Sequence, residues 1–225
     1  MTHTAQTPHI IARDEDIIAV CKPAGYLTHP AGGNEAPDIG TWLDAQEGLR
    51  GVRPAHRLDL QVSGLLLCAR TPAQRARISA CLAEPETQKP YLALVHGVTR
   101  KKGAIRRNLK DARRKKSLTA LTNYRRLEVL RERFSLLKVL ITTGRKHQIR
   151  RHLEGIGHPV VGDRRYRGRR RKALRGTPDR IWLHAERIQF SDGRSWTAPL
   201  PPDLQAHLTS LQPTDAEAPA APLKP

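Results

Sequence analysis

The connection between two apolar strands limits the fold more than any other feature. "NYRRLEVL" (123–130) and "FSLLKVLITT" (134–143) both read as strands, and only "RER" separates them. A parallel crossover needs a dozen or more residues, usually a helix, so these strands must pair antiparallel. "YLALVHG" (91–97) is a further strand. "GLLLCAR" (64–70) is a continuous apolar strand running into "TPAQRARISACLAE", where Thr71 is placed to cap a helix with Pro72 at its first position. "DIIAVCKPAG" (16–25) reads as a strand stopped by Pro23 and Gly25, and "PDIGTWLDAQEG" as a helix capped by Asp38 and ended by Gly48. The expected class is α+β, a mixed and mainly antiparallel sheet with helices packed around a central cleft.

The 225 residues fit one large domain or two small ones, and one elongated domain is the simpler reading. Its expected limits are 16–211, with an N-terminal extension over 1–15. The tail 212–225, "QPTDAEAPAAPLKP", is rich in proline and alanine, has no periodic apolar face and is expected to be disordered. After "ITTGR" the spacing of Ile149, Leu153 and Ile156 turns helical, with Thr142 or Thr143 as the candidate cap.

Charge points to the partner. With 40 Lys and Arg against 21 Asp and Glu the formal charge is +19, which favours polyanions, above all nucleic acid. The same self-repulsion favours a monomer. Two segments, 100–116 and 164–175, are so basic that they are expected to be loops or hairpin tips on the surface. No apolar run approaches a membrane span and no basic amphipathic helix with an apolar face is present, so a membrane partner is set aside. Cys21, Cys68 and Cys81 are odd in number, widely spaced and set in apolar stretches, which suits reduced, packed thiols. The start "MTHTAQTPH" does not resemble a secretion signal, and a cytoplasmic location is expected.

Two constellations can carry chemistry. In "HRLDLQVSGLLL" (56–67), Asp59 is an acid set before a buried strand, where its charge is costly unless a cation stands near. In "TGRKHQIRRHLEGIGHPVVGD" (143–163), Arg145, Lys146, His147, Gln148 and Arg150 crowd a strand-to-helix turn that suits phosphate. His147, His152 and His158 do not combine with carboxylates at metal-ligand spacing, so no metal is expected.

These residues resemble the RluA-type pseudouridine synthases. "HRLDLQVSGLLL" is similar to that family's catalytic motif and "KPYLALVHG" to its tyrosine motif. "TGRKHQIRRHLEGIGHPVVGDRRY" and "LHAERIQF" are similar to its later blocks, all in the family's order between Ile17 and Pro199. Val62, Lys146 and Arg167 depart from the usual Thr, Thr or Ser, and Gly, which bears on substrate contacts rather than on the reaction. The resemblance implies an isomerase that converts specific uridines of rRNA or tRNA stem-loops to pseudouridine without a cofactor. Asp59 would be the catalytic carboxylate, Tyr91 the residue stacking on the target base and Arg150 the basic partner of Asp59. Arg57, Arg145, Lys146, His147, Gln148, Arg164 and Arg165 would contact RNA. With only a short segment before Ile17, the N-terminal RNA-binding module that the family often carries is expected to be absent.

Two rival readings differ in class. A non-catalytic basic RNA-binding protein, or an RNA chaperone in ribosome assembly, would use the same surface. A glycosidase-like hydrolase would need a second carboxylate flanking the bond. Asp163 is its one candidate, and Gly162-Asp163 reads as ordinary turn chemistry.

Overall fold

The computed structural model of the protein describes residues 6–33, 35–111, 116–167 and 180–212. The elements run β1 (His9–Arg13), β2 (Ile18–Lys22), α1 (Ile39–Asp44), β3 (Arg53–Pro54), β4 (Ser63–Ala69), α2 (Pro72–Ala83), β5 (Pro90–His96), β6 (Lys102–Arg106) and β7 (Leu109–Asp111). They continue with β8 (Lys116–Leu118), β9 (Leu121–Leu130), β10 (Phe134–Ile141), α3 (Gln148–Gly155), β11 (Leu183–Ala185), β12 (Arg187–Gln189), β13 (Ser195–Thr197) and α4 (Pro202–Leu211).

One sheet dominates, in the order β1, β2, β4, β11, β5, β10, β9, β6, with β3 added against β4. Among the described residues its pairings are antiparallel except β11 on β4. The fold is thus the mixed, mainly antiparallel α+β class that the short β9–β10 connection requires. In that connection Arg131 and Glu132 both take left-handed backbone, at φ 46 and φ 51, and the Arg133 N–H donates to Leu130 O at 3.1 Å. Positive φ at both central residues matches the twist of paired strands.

The core lies on both faces of the sheet. Along β4, Leu66 and Cys68 enter the larger apolar cluster while Leu65, Leu67 and Ala69 enter the smaller one. A strand covered on both sides can therefore be apolar throughout. Thr71 caps α2 through a reciprocal pair with Gln74, the N-cap expected from the sequence. Asp38 caps α1 by accepting from the Thr41 N–H at 3.0 Å, and that helix ends before Gly48. Among the described residues no helix is long and apolar enough to cross a membrane.

Three expectations need correction, and two lie outside the described residues. Residues 9–13, assigned to an extension, form β1 and pair with β2. The basic segment 100–116, expected as loops or hairpin tips, is largely strand: β6 pairs with β9, because an edge strand needs to bury little more than Ile105, and β7 and β8 pair antiparallel on either side of 112–115. Neither Thr142 nor Thr143 caps α3: His147 occupies the N-cap, at φ 54, without a side-chain cap. Residues 168–175 and the tail from 213 lie outside the described residues.

Candidate active site

Asp59 lies in the loop from His56 to Val62 between β3 and β4. Its two neighbours are bolted to the segment after β2. Thr28 Oγ1 donates to Leu58 O at 2.9 Å and accepts from the Leu58 N–H at 3.0 Å. Leu60 O accepts from the Gly25 N–H at 2.9 Å and from Lys22 Nζ at 3.2 Å. The loop is thus held on both sides of the acid, which fixes the carboxylate without using it.

Lys22 is 0% exposed, and its ammonium also donates to Pro23 O at 2.9 Å and Tyr26 O at 2.8 Å. Three N–H groups meet three carbonyls, which satisfies an otherwise costly buried cation. Burial, and then the charge of Arg180, pull its pKa down to about 7.

Arg150 reaches Asp59 from α3. Its Nη1 donates to Asp59 Oδ2 at 3.1 Å, while Nε and Nη2 grip Asp163 Oδ2 and Oδ1 at 2.6 and 3.1 Å. The Asp163 side chain is 0% exposed, and its Oδ1 also accepts from the Arg165 and Tyr166 N–H groups. Asp163 does make the turn the sequence suggests, and the same carboxylate anchors the arginine. It does not line the cleft, so the second carboxylate a hydrolase needs is absent from the described wall.

Oδ1 of Asp59 stands 3.7 Å from His147 Nε2. The other ring nitrogen of His147 shares a 2.9 Å hydrogen bond with the Tyr166 hydroxyl, and the Arg150 guanidinium lies 5.0 Å from the Tyr166 ring centre. Burial lowers the His147 pKa, opposed by the charge of Asp59 and reinforced by Arg150. The carboxylate thus has one oxygen tied to a guanidinium and the other beside an imidazole.

A cavity of about 150 Å³ opens onto Asp59, and Tyr91 of β5 forms part of its wall. Burial, then the negative charge of Asp59, raise the Tyr91 pKa, so the phenol stays neutral. Arg57, Arg145, Lys146 and His147 also line this cavity. Arg164 and Arg165 are exposed on the turn after Asp163 and do not line it, and Arg165 lies 5.5 Å over the Tyr166 ring.

Gln148 is 3% exposed and its side chain turns into the protein. Its amide nitrogen donates to Leu121 O and Thr122 Oγ1, and its oxygen accepts from Thr143 Oγ1 and the Arg145 N–H. It braces the 143–147 turn against β9, which leaves no polar atom for the phosphate contact expected of it.

Sequence reasoning missed Lys22, Tyr166 and the second role of Asp163. A lysine closing a five-residue strand that is otherwise apolar was the available signal for Lys22. Asp163 and Tyr166 gave none beyond turn chemistry, because their partners are set by the tertiary fold.

The RNA pseudouridylate synthase family matches residues 16–155. The tRNA pseudouridine synthase C of Haemophilus ducreyi is 32% identical over 215 residues, covering 81% of this chain and 84% of that protein. The ribosomal large subunit pseudouridine synthase D of Xanthomonas campestris is 33% identical, covering 93% of this chain and 71% of its own length. Human RNA Pseudouridylate Synthase Domain Containing 1 superposes with a TM-score of 0.73 at 26% identity, over 92% of this chain and 90% of that one. The match of the family over most of the sheet, and of relatives over nearly the whole chain, shows that this protein belongs to the RluA-type RNA pseudouridine synthases.

Proposed function

We propose that the protein isomerises a looped uridine of ribosomal or transfer RNA, with Asp59 as the catalytic carboxylate. The observation that carries this reading is the 3.1 Å contact between Arg150 Nη1 and Asp59 Oδ2 at the wall of a cleft that Tyr91 shares.

The reaction breaks the bond from ribose C1′ to N1 of uracil, turns the freed base and joins C1′ to its C5. The C5 hydrogen leaves as a proton and one is gained at N1, so nothing is added or lost. Asp59 serves either as nucleophile at C1′ or as the base that removes a ribose proton, and both need it ionised. A guanidinium at 3.1 Å favours that form. Asp59 Oδ1, not occupied by Arg150, is the oxygen that faces the sugar.

The uridine must leave its stack to reach this carboxylate, at a cost of a few kcal/mol that is smallest in a loop. Stacking on Tyr91 recovers about 1–3 kcal/mol. Arg57, Arg145, Lys146, Arg164 and Arg165 hold the flanking phosphates, and His147, beside the carboxylate, contacts the RNA within the cleft.

The test is a comparison of pseudouridine positions in RNA from cells with and without this protein, followed by conversion of the missing site in vitro. The reading predicts at least one uridine whose isomerisation depends on the protein and is restored by the purified chain. Identical maps, with no conversion of any RNA in vitro, would overturn it.

A further inference from the structure

The cleft does not end at Asp59. Past Tyr91 it widens into a second lobe of about 450 Å³, and Arg57, Tyr91, Ile141, Gly144 and Arg145 line both parts, so the two are continuous. A volume of this size lies within the roughly 300–1,000 Å³ of small-ligand sites. It is more than the reacting uracil needs, since the part around Asp59 already provides a place for that base.

The lobe has an apolar floor of Leu65, Leu82 and Ile188 and no carboxylate in its wall. Its donor-only side chains include His56 and Arg187. His56 Nε2 accepts from the Leu67 N–H at 3.0 Å, which puts the proton of the neutral ring on Nδ1. Burial, assisted by the charge of Lys89, lowers the His56 pKa to about 4, so this tautomer holds at neutral pH. Arg187, on β12, has a buried Nε with no hydrogen-bond partner, and a guanidinium has no acceptor to offer. Arg187 lines the lobe, so its guanidinium brings donors to that wall and no acceptor.

We infer that this lobe receives the nucleobase next to the target uridine, and that His56 and Arg187 select a keto base, guanine or uracil, over adenine or cytosine. The inference rests on the isomerase reading and adds a specificity site to it. Keto carbonyls accept from both residues. The exocyclic amine of adenine or cytosine would set donor against donor. Paired contacts to a base edge discriminate by roughly five- to 150-fold. Leu82 and Ile188 cover a face of the base, and Arg57 and Arg145 stand where the strand passes from one lobe to the other.

The experiment uses stem-loop RNAs that carry the mapped target uridine, with each of the four bases, and an abasic ribose, at its 5′ and its 3′ neighbour. At one neighbour, replacing a keto base by an amino base or the abasic ribose lowers kcat/KM about tenfold or more. Ala83→Phe, which fills the lobe from the end of α2 and does not line the part around Asp59, lowers kcat/KM on the keto RNA to the abasic level. On the abasic RNA it changes nothing further. Equal kcat/KM for all neighbours, or an Ala83→Phe loss that persists on abasic RNA, would overturn the inference while leaving the isomerase reading intact.

A second readout does not need turnover. Heptanucleotides with a central uridine and varied neighbours are titrated against the full-length Asp59→Asn protein. Tighter binding of the keto series at one neighbour is expected, and no preference would count against the subsite. Keto preference in binding, with no isomerisation of any RNA by the unmutated protein, would instead overturn the catalytic reading alone.

Discussion

Arg150 grips Asp163 with two nitrogens, at 2.6 and 3.1 Å, and has one left for Asp59. The buried carboxylate aims the arginine, and the arginine aims the acid. Removing one partner of a buried pair costs about 3–5 kcal/mol, because the other charge stays behind without compensation. Asp163→Asn is therefore expected to lower stability by about that amount in urea denaturation. It should also reduce kcat at temperatures where the variant remains folded. Wild-type kcat in a folded Asp163→Asn protein would show that Arg150 needs no such anchor.

Stability should fall as the solution is acidified between pH 6.5 and 4. His184 donates from Nε2 to Ala198 O at 3.1 Å and accepts at Nδ1 from Ser63 Oγ at 2.9 Å, so the ring is built in as a neutral group. Burial lowers its pKa to about 4, as it does for His56. Between the two values the unfolded chain binds protons that the native protein does not, so stability is complete above pH 6.5 and is lost towards pH 4. Each such proton contributes up to ~1.4 kcal/mol per pH unit. Urea titrations at several pH values should give a smaller slope for His184→Gln than for the unmutated protein. An equal slope would contradict the assignment.

Gly64 permits the parallel pairing of β4 with β11. It sits at φ 126, and a Cβ there would lie 2.6 Å from the Ala185 nitrogen on β11. Gly64→Ala must push β4 and β11 apart, and both carry walls of the cleft. A midpoint lower by several degrees, or an insoluble protein, is expected; a Tm equal to that of the unmutated chain would contradict the close approach.

Much of this architecture was legible in the chain. Thr71 and Pro72 mark the start of α2, and the short link after Leu130 forces the β9–β10 hairpin. The turn itself was not legible, since Arg131-Glu132 has none of the Asn or Gly that normally signals positive φ. β6 was missed because an edge strand carrying Lys102 and Arg106 resembles a loop, and β1 because it is five residues long and buries none of them fully. At the site, Asp59 and Arg150 could be paired only through the family resemblance. They are 91 positions apart, and no local pattern reports such a contact. Gln148 misled for the opposite reason: local spacing puts it among phosphate-binding types, and only the packing of α3 on β9 turns it inward.

Binding of RNA should be strongly salt-dependent. Each neutralised phosphate of a single strand adds a slope of about −0.7 to log K against log salt. Arg164 and Arg165 are exposed beside the cleft, so the double change Arg164→Gln, Arg165→Gln should flatten that slope by about 1.4. Filter binding across a range of KCl concentrations measures it, and an unaltered slope would remove both residues from the RNA path.

The role of Asp59 itself is tested most directly by release of tritium from RNA labelled at uridine C5, because the new bond from C1′ displaces that hydrogen. The unmutated protein should release tritium, and Asp59→Asn should release none while binding the same RNA at least as tightly, since a negative charge near phosphate has been removed. Release by Asp59→Asn at the unmutated rate would show that another group performs the isomerisation.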